Sequence, residues 1–200
     1  DGLERSSGVI KVNGKDIGQK SPAAITTLGL GRSFQNTSLF ESLSVSECLR
    51  LARYRHWQPS KTDTADRIGL PTAAMEVLES TGLTSQLDGK VNNLPHGMKR
   101  ALELTMVLSL EPNVLLLDEP TAGLTKADRL MIGNILTDLQ TRLGLAIVLI
   151  EHDFDFVKQV CSRLVVLHRG ELVLDGEVQE VVNSDLVQEI SNERKYEEIR

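Results

Sequence analysis

The sequence predicts an α/β fold with a parallel sheet and an inserted helical segment. Two short apolar runs, 114–117 and 145–150, have the length and composition of strands buried in a parallel sheet. A helical pattern over 126–143 separates them, which predicts a right-handed βαβ unit with the two strands close together. Three further helical patterns, with no strand pattern, lie between Gln35 and Asn113. We therefore expect a helical subdomain inserted into an α/β core.

The composition limits the classes of protein to which this chain can belong. The 200 residues suffice for a real hydrophobic core, and the hydrophobic fraction of 40% is ordinary for a globular protein. The net charge of −6, without a long basic run, gives no support for nucleic-acid binding. The longest apolar run, 145–150, is too short to span a bilayer, and no signal peptide is visible. Cys48 and Cys161 lack metal-like spacing, so we interpret them as reduced core thiols of a cytosolic protein.

The first element is a predicted hairpin. A strand over 8–12 is followed by Asn13-Gly14, the strongest short hairpin signal, and by a return strand over 15–17. Gly8 and Gly14-Lys15 imitate a phosphate-binding loop, but five residues separate the glycines where that loop requires four. Asp16 also stands where that loop needs a Ser or Thr, so the turn interpretation is preferred.

The helices that follow are predicted from their ends. Ser21-Pro22 is typical of a helix start, and Gly29 ends that short helix before a strand-like segment over 31–35. Ser44 and Glu47 form a capping-box pattern that opens a helix to about residue 56. A second helix is predicted over 72–81. A third begins near His96, with an apolar face.

The final quarter contains shorter elements. The strand over 145–150 is predicted to be buried, and charged residues 151–153 follow it. We predict a helix over 154–162 and then strands over 164–167 and 171–174, with Arg169-Gly170 as their turn. From Gly176 onward the pattern predicts polar helix, and residues 192–200 form a charged tail.

Asp118 and Glu119 are the first candidate site. They follow the apolar run over 114–117 and precede Pro120, and ligands of parallel sheets bind at the carboxyl ends of the strands. Two carboxylates at the end of a buried strand are costly without a partner, and a metal ion is a natural one. Ordinary strand-end charges are the alternative. The βαβ unit predicts that Glu119 and His152 open on the same edge of the sheet.

Five segments in order resemble the ATP-binding subunits of ABC transporters. Residues 115–120 resemble the Walker B strand, 122–125 the D-loop and 151–153 the switch-histidine segment. Gln35 stands where the family has its Q-loop, and 94–98 resemble a divergent signature motif. Within the family, the segments around Gln35 and Asp118 look most like the ATPases of branched-chain amino-acid or urea importers.

The resemblance implies a P-loop NTPase-like core and a role for each matched residue. Asp118 would hold Mg²⁺ through water, with Gln35 in the same metal shell. Glu119 would polarise the water that attacks the γ-phosphate of ATP, and His152 would hydrogen-bond that phosphate. The signature residues would cap the nucleotide held by a second ATPase subunit, using backbone N–H groups. The cofactor-binding residues implied here are Leu94, Pro95, His96, Gly97 and Met98 of the signature and Gly123 and Thr125 of the D-loop.

The sequence departs from the family's pattern in two places. No G-x-x-x-x-G-K-[ST] occurs in the 200 residues. By comparison with the family's usual span, we expect the Walker A segment and the first strands, about 40 residues, to be missing ahead of Asp1. Weak ATP binding and an unpaired sheet edge would follow. In the signature, Pro95 replaces a Ser and has neither hydroxyl nor N–H to offer a phosphate.

The predicted organisation has four parts: 1–35, the remnant of the N-terminal β region and Q-loop; 36–110, the helical subdomain with the signature; 111–182, the α/β core; and 183–200, the C-terminal tail. The resemblance implies an ATPase subunit on the cytoplasmic face of the cell membrane. Its partners would be a second ATPase subunit and an integral membrane permease, with no nucleic acid. A non-transport ABC ATPase of DNA repair or translation, and a nucleotide-free interaction module, are the alternatives.

Overall fold

The structure is a computed structural model that describes residues 7–33, 39–54 and 68–190. The chain divides into two units, Asp1–Ile150 and Glu151–Arg200. Gln35 and the charged tail after residue 190 lie outside the described residues. The division into four parts made from the sequence stays a prediction.

The first unit opens with the predicted hairpin. Strands β1 (Lys11–Val12) and β2 (Lys15–Asp16) pair antiparallel around Asn13-Gly14. Both turn residues have positive φ, 49° at Asn13 and 75° at Gly14, as a two-residue type I′ turn requires. The Asn-Gly pair therefore acts as a turn and not as part of a phosphate-binding loop.

A three-stranded parallel sheet forms the α/β part of this unit. Its strands are β3 (Leu30–Arg32), β4 (Val114–Asp118) and β5 (Ala146–Ile150), in the order β3-β4-β5. In the central strand β4, Leu115 and Leu117 are buried. Asp118 pairs in register with Ile150, so β4 and β5 end together. The predicted βαβ unit is confirmed.

The prediction that β5 is a buried strand is wrong. Val148 is 57% exposed and Ile150 is 64% exposed. Within the described part of the chain β5 pairs with β4 alone, so it is an edge strand. A short apolar run does not reveal whether a strand is central or at an edge, because that depends on which other strands pair with it.

Helices of the first unit begin where their caps predict. Ser21 caps α1 (Pro22–Thr26), and Ser44 and Glu47 form both bonds of the capping box of α2 (Val45–Arg53). Helices α3 (Thr72–Ser80) and α4 (His96–Leu108) follow, and α5 (Lys126–Leu143) connects β4 to β5. Two 3₁₀ turns, Leu83–Gln86 and Val91–Asn93, lie between α3 and α4.

Helix α4 is the centre of the helical segment. It contacts α2 and α3, and it also contacts β3 and α5. Ala101, Leu102 and Leu108 of α4 are fully or almost fully buried in these contacts. Because α4 touches the other helices as well as the sheet, it connects the helical segment to the residues at the end of β4. None of the described helices is long and apolar enough to cross a bilayer.

The second unit contains a hairpin, two short helices and a further helical segment over residues 185–190. Helix α6 (Phe154–Val160) precedes the antiparallel strands β6 (Arg163–His168) and β7 (Glu171–Glu177), and α7 (Val178–Val182) follows. The Arg169-Gly170 turn has φ of 50° and 84°, as predicted for a tight hairpin. Gly176 and Glu177 lie in β7, so the predicted helical segment begins at Val178, two residues later than expected. Gly176 pairs with Leu164 and Glu177 with Arg163.

Both cysteines are free thiols, as predicted. Cys48 is completely buried in α2, whereas Cys161 is half-buried at the end of α6. Burial raises the pKa of each thiol, because a thiolate loses its hydration in an apolar surrounding. Neither thiol is therefore activated as a nucleophile.

Candidate functional site

The carboxyl end of β4 carries the two predicted carboxylates. Glu119 lies one residue beyond the strand, and its N–H donates to the Ile150 carbonyl at 2.9 Å. The chain then turns sharply, because Glu119 has φ of +45° and Ala122 N–H donates back to the Glu119 carbonyl at 3.2 Å. Asp118 and Glu119 are both half-buried. They therefore emerge at the edge of the sheet where ligands of parallel sheets bind.

The donor set at this edge fits a magnesium ion. The described residues contain no group of three or more His, Cys, Asp or Glu side chains that could hold a metal. Mg²⁺ keeps several of its waters and is usually bound by one or two protein carboxylates together with substrate phosphates. The half-buried Asp118 at the strand end meets that requirement. Gln35, the other predicted ligand, lies outside the described residues.

The predicted signature residues form the start of α4. Leu94 is buried, and Pro95 is the N-cap and makes no side-chain capping bond. His96 and Pro95 are exposed, Gly97 is buried and Met98 is half-buried. The first N–H groups of a helix have no acceptor within the helix. The exposed start of α4 can therefore receive an anion from outside the unit.

Gly97 lies directly against Asp128 of α5. A Cβ atom built on Gly97 would collide with Asp128 Oδ1 and lie 2.6 Å from its Cγ. Asp128 belongs to the D-loop side of the site, because Thr125 Oγ1 donates to its carboxylate at 2.7 Å and accepts from its N–H at 3.2 Å. Gly97 and Thr125 thus both contact Asp128. Gly123 is exposed in the turn that precedes Thr125 and has φ of +72°.

Asp128 was missed as a site residue from the sequence. Its spacing from Thr125 follows the capping pattern, which could have predicted its bond to Thr125. Its contact with Gly97, some thirty residues earlier in the chain, has no local signal and depends on how α4 and α5 pack.

Arg100 is the second residue near this site that was not predicted from the sequence. Its Nε donates to the Pro120 carbonyl at 3.0 Å, and one terminal nitrogen donates to the carbonyls of Asp118 at 3.2 Å and Glu119 at 3.3 Å. The other terminal nitrogen donates to Glu103 Oε2 at 2.6 Å. A side chain of α4 therefore contacts three successive carbonyls of the turn that carries Glu119.

His152 belongs to the second unit and follows Ile150 by two residues in the chain. Its side chain is 60% exposed, and its backbone N–H donates to Glu151 Oε2 at 3.1 Å. The helix after it is capped by Asp153, whose carboxylate accepts from the N–H groups of Asp155 and Phe156. Residues 151–153 thus form a capped turn before α6. That Glu119 and His152 open on one edge stays a prediction.

Comparison with known proteins identifies the family. A family model for ABC transporters matches residues 2–122. The methionine import ATP-binding protein MetN of Protochlamydia amoebophila (strain UWE25) is 32% identical over 184 residues, which cover 90% of this chain and 52% of the relative. MetN of Photorhabdus laumondii subsp. laumondii is 34% identical and covers 90% of the chain and 51% of the relative. The chain spans about half the length of these curated relatives.

Solved structures agree with this assignment. The structure of cbiO1 from Clostridium perfringens, part of the ABC transporter complex cbiONQ, superposes with a TM-score of 0.74 at 31% identity. That match covers 96% of this chain and 75% of cbiO1. The ADP conformation of MJ1267, an ATP-binding cassette of an ABC transporter, matches with a TM-score of 0.72 at 26% identity, over 88% of this chain and 73% of MJ1267. The expected fold is confirmed, and the chain belongs to the ABC transporter family.

Proposed function

We propose that this chain is part of the ATP-hydrolysing subunit of an ABC importer. The observation that carries the proposal is the turn after β4, where Asp118 and Glu119 emerge together at the ligand-binding edge of a parallel sheet. This turn is contacted by α4, the helix that begins with the signature residues. The two carboxylates provide ligands for a cation at this edge, and the start of α4 provides N–H groups for an anion held by another subunit.

Each site residue has a role in this proposal. Asp118 and Gln35 would hold Mg²⁺, and Glu119 accepts a proton from the attacking water. His152 donates a hydrogen bond to the terminal phosphate. Bound ATP would supply the phosphoryl group that is transferred, and Mg²⁺ would neutralise part of the phosphate charge. The half-burial of Asp118 and Glu119 supports these roles, because it leaves both carboxylates reachable from solvent.

The start of α4 serves a second ATPase subunit. Residues 94–98, together with Gly123 and Thr125, cap the nucleotide bound by that subunit through backbone N–H groups. The exposure of Pro95, His96 and Thr125 supports this arrangement, because a partner can reach them. Pro95 contributes no N–H and no hydroxyl, so the cap relies on the N–H groups of the residues that follow it.

The remaining partners follow from the importer assignment. We infer a cytoplasmic subunit bound to an integral membrane permease, with no nucleic acid as a ligand. The relatives at 32% and 34% identity are named for methionine import, so they lend no support to the prediction of branched-chain amino acids or urea. An amino acid is the class of solute that we propose, and the permease selects it.

ATP hydrolysis by the protein expressed from its complete gene tests the proposal. We expect Mg²⁺-dependent turnover in which Glu119→Gln lowers kcat by about 10²–10⁴-fold, because a general base contributes a factor of that size. Glu111→Gln is the matched control, because Glu111 also has a positive φ, +54°, but contacts Arg53 at the far end of α4. Its kcat should remain close to the wild-type value.

Three outcomes would contradict parts of the proposal. Full activity of the Glu119→Gln protein would remove Glu119 as the base. Absence of ATP hydrolysis in the wild-type protein with its permease would remove the enzymatic function. Purification with ribosomes or DNA in place of a membrane permease would favour a non-transport ABC ATPase.

A further inference from the structure

Arg100 holds the backbone of the turn on which Glu119 lies. We propose that Arg100 is a positioning residue for ATP hydrolysis and that it couples the start of α4 to Glu119. The inference rests on the proposed function and adds a residue to it. Arg100 acts on the backbone, because its guanidinium donates to the carbonyl oxygens of Asp118, Glu119 and Pro120.

Arg100 forms hydrogen bonds with three backbone carbonyls at the start of the turn after β4. Its guanidinium donates to the carbonyls of Asp118, Glu119 and Pro120 at 3.0–3.3 Å. The guanidinium is planar and carries five N–H donors in a fixed arrangement. Three successive carbonyls bound to one rigid group have little freedom to rotate. The backbone from which the Asp118 and Glu119 side chains project is held in place as a result.

The backbone conformation of Glu119 requires stabilising contacts. Glu119 has φ of +45°, a left-handed conformation that is unfavourable for a residue with a Cβ. Such a conformation persists only where the surroundings enforce it. The Ile150 carbonyl holds the N–H of Glu119 on one side, and Arg100 holds its carbonyl on the other.

The guanidinium is itself fixed in place. Arg100 is 9% exposed and Glu103 is 8% exposed, and they form an ion pair of 2.6 Å one turn apart on α4. A buried charge requires such a partner, and the pair limits the rotamers that Arg100 can adopt. Glu103 therefore acts on the turn indirectly, by orienting Arg100.

Helix α4 links this contact to the other end of the site. His96 is its first residue, and Arg100 lies about one turn later on the same rigid helix. A partner subunit that moves the start of α4 also moves the donors that hold Asp118, Glu119 and Pro120. Occupancy of the second subunit's nucleotide site is therefore transmitted to the base of this subunit.

Substitution by lysine tests the inference against a purely structural role. Arg100→Lys keeps the charge next to Glu103, but a single ammonium group cannot reproduce the planar set of bonds to three carbonyls. Arg53→Lys is the matched control. Arg53 is also buried, at 8% exposure, and donates to the Ser109 carbonyl at 2.8 Å and to Glu111 at 2.7 Å, beyond the other end of α4.

Steady-state ATP hydrolysis by the protein from its complete gene is the measurement, with thermal unfolding beside it. We expect Arg100→Lys to lower kcat at least about tenfold while KM for ATP changes less than about threefold, because a transition-state interaction alone is weakened. Arg53→Lys should lower the unfolding temperature similarly and leave kcat within about twofold of the wild type.

Equal loss of stability in both variants with unchanged kcat in Arg100→Lys would overturn the inference. If Arg100→Lys does not fold, Glu103→Gln replaces it: a selective fall in kcat supports the role, and an unchanged kcat overturns it. The wild-type protein separates the two proposals. Turnover in the wild type with no effect of the variants removes only the inference, whereas no turnover in the wild type removes the proposed function.

Discussion

The N–H of Glu119 donates to the carbonyl of Ile150 at 2.9 Å, one residue beyond the Asp118–Ile150 pair that ends the ladder between β4 and β5. This bond extends the hydrogen bonding between β4 and β5 by one residue, into the turn after β4. Arg100 binds the carbonyl of Asp118, which shares a peptide unit with this N–H, and the carbonyl of Glu119 in the next peptide unit. The backbone that carries the Glu119 carboxylate is therefore held by a strand and a helix together.

Gly97→Ala is expected to destabilise the first unit. A methyl group at this position would overlap the Asp128 carboxylate, and overpacking of this kind costs about 1–3 kcal/mol. The gain in helix propensity from glycine to alanine, about 1 kcal/mol, does not offset that cost fully. Thermal or urea unfolding should show the loss.

Repeating Gly97→Ala in the Asp128→Ala variant tests whether the contact with Asp128 causes the loss of stability. There the carboxylate is absent, so Gly97→Ala should be neutral or stabilising. An equal cost of Gly97→Ala in both backgrounds would show that the contact with Asp128 is not responsible.

Pro95→Ser should alter nucleotide use without much effect on stability. A serine N-cap adds about 1 kcal/mol to the free energy of unfolding. Loss of the proline lowers it by about 0.4–1 kcal/mol, because the unfolded chain gains conformational entropy. The added hydroxyl can donate to a phosphate of the partner subunit, so KM for ATP should fall by about tenfold.

Pro71 offers the matched control for that substitution. It is the N-cap of α3 and, like Pro95, makes no side-chain capping bond. Pro71→Ser should change unfolding to the same extent and leave ATP hydrolysis unchanged. A similar kinetic effect of both substitutions would argue against a role for the start of α4 in nucleotide binding.

The capping box of α2 predicts a dependence of stability on pH. The Ser44 N–H donates to Glu47 Oε2 at 2.7 Å, and this bond lowers the pKa of Glu47 below its ordinary value of 4.5. Because the pKa is lower in the folded state, the contribution to stability is complete above the unfolded pKa. It is lost as the pH falls through the folded pKa.

Urea midpoints from pH 7 to pH 3 measure this effect. Glu47→Gln should be less stable than the wild type at pH 7, and the difference should disappear at the acid end of the range. Glu79→Gln, an exposed substitution in the last turn of α3, controls for the general loss of a carboxylate. A constant difference between Glu47→Gln and the wild type over the range would contradict the prediction.

Local signals predicted most of the elements, because each depends on residues close in the chain. Ser44 with Glu47 predicted the start of α2, and Asn13-Gly14 and Arg169-Gly170 predicted their hairpin turns. The apolar run before Asp118 predicted β4. The exposure of β5 was not predicted, because burial depends on what covers a strand and not on its own composition.

The sequence by itself determined the family, the order of the site segments and the identities of Asp118, Glu119 and His152 as candidates. Only the tertiary structure decided that Arg100 contacts three carbonyls after β4 and that Asp128 lies against Gly97. Both contacts join residues of different elements, and their geometry depends on the packing of α4 against α5 and the sheet. Periodicity and caps describe one element at a time, so they carry no information about such contacts.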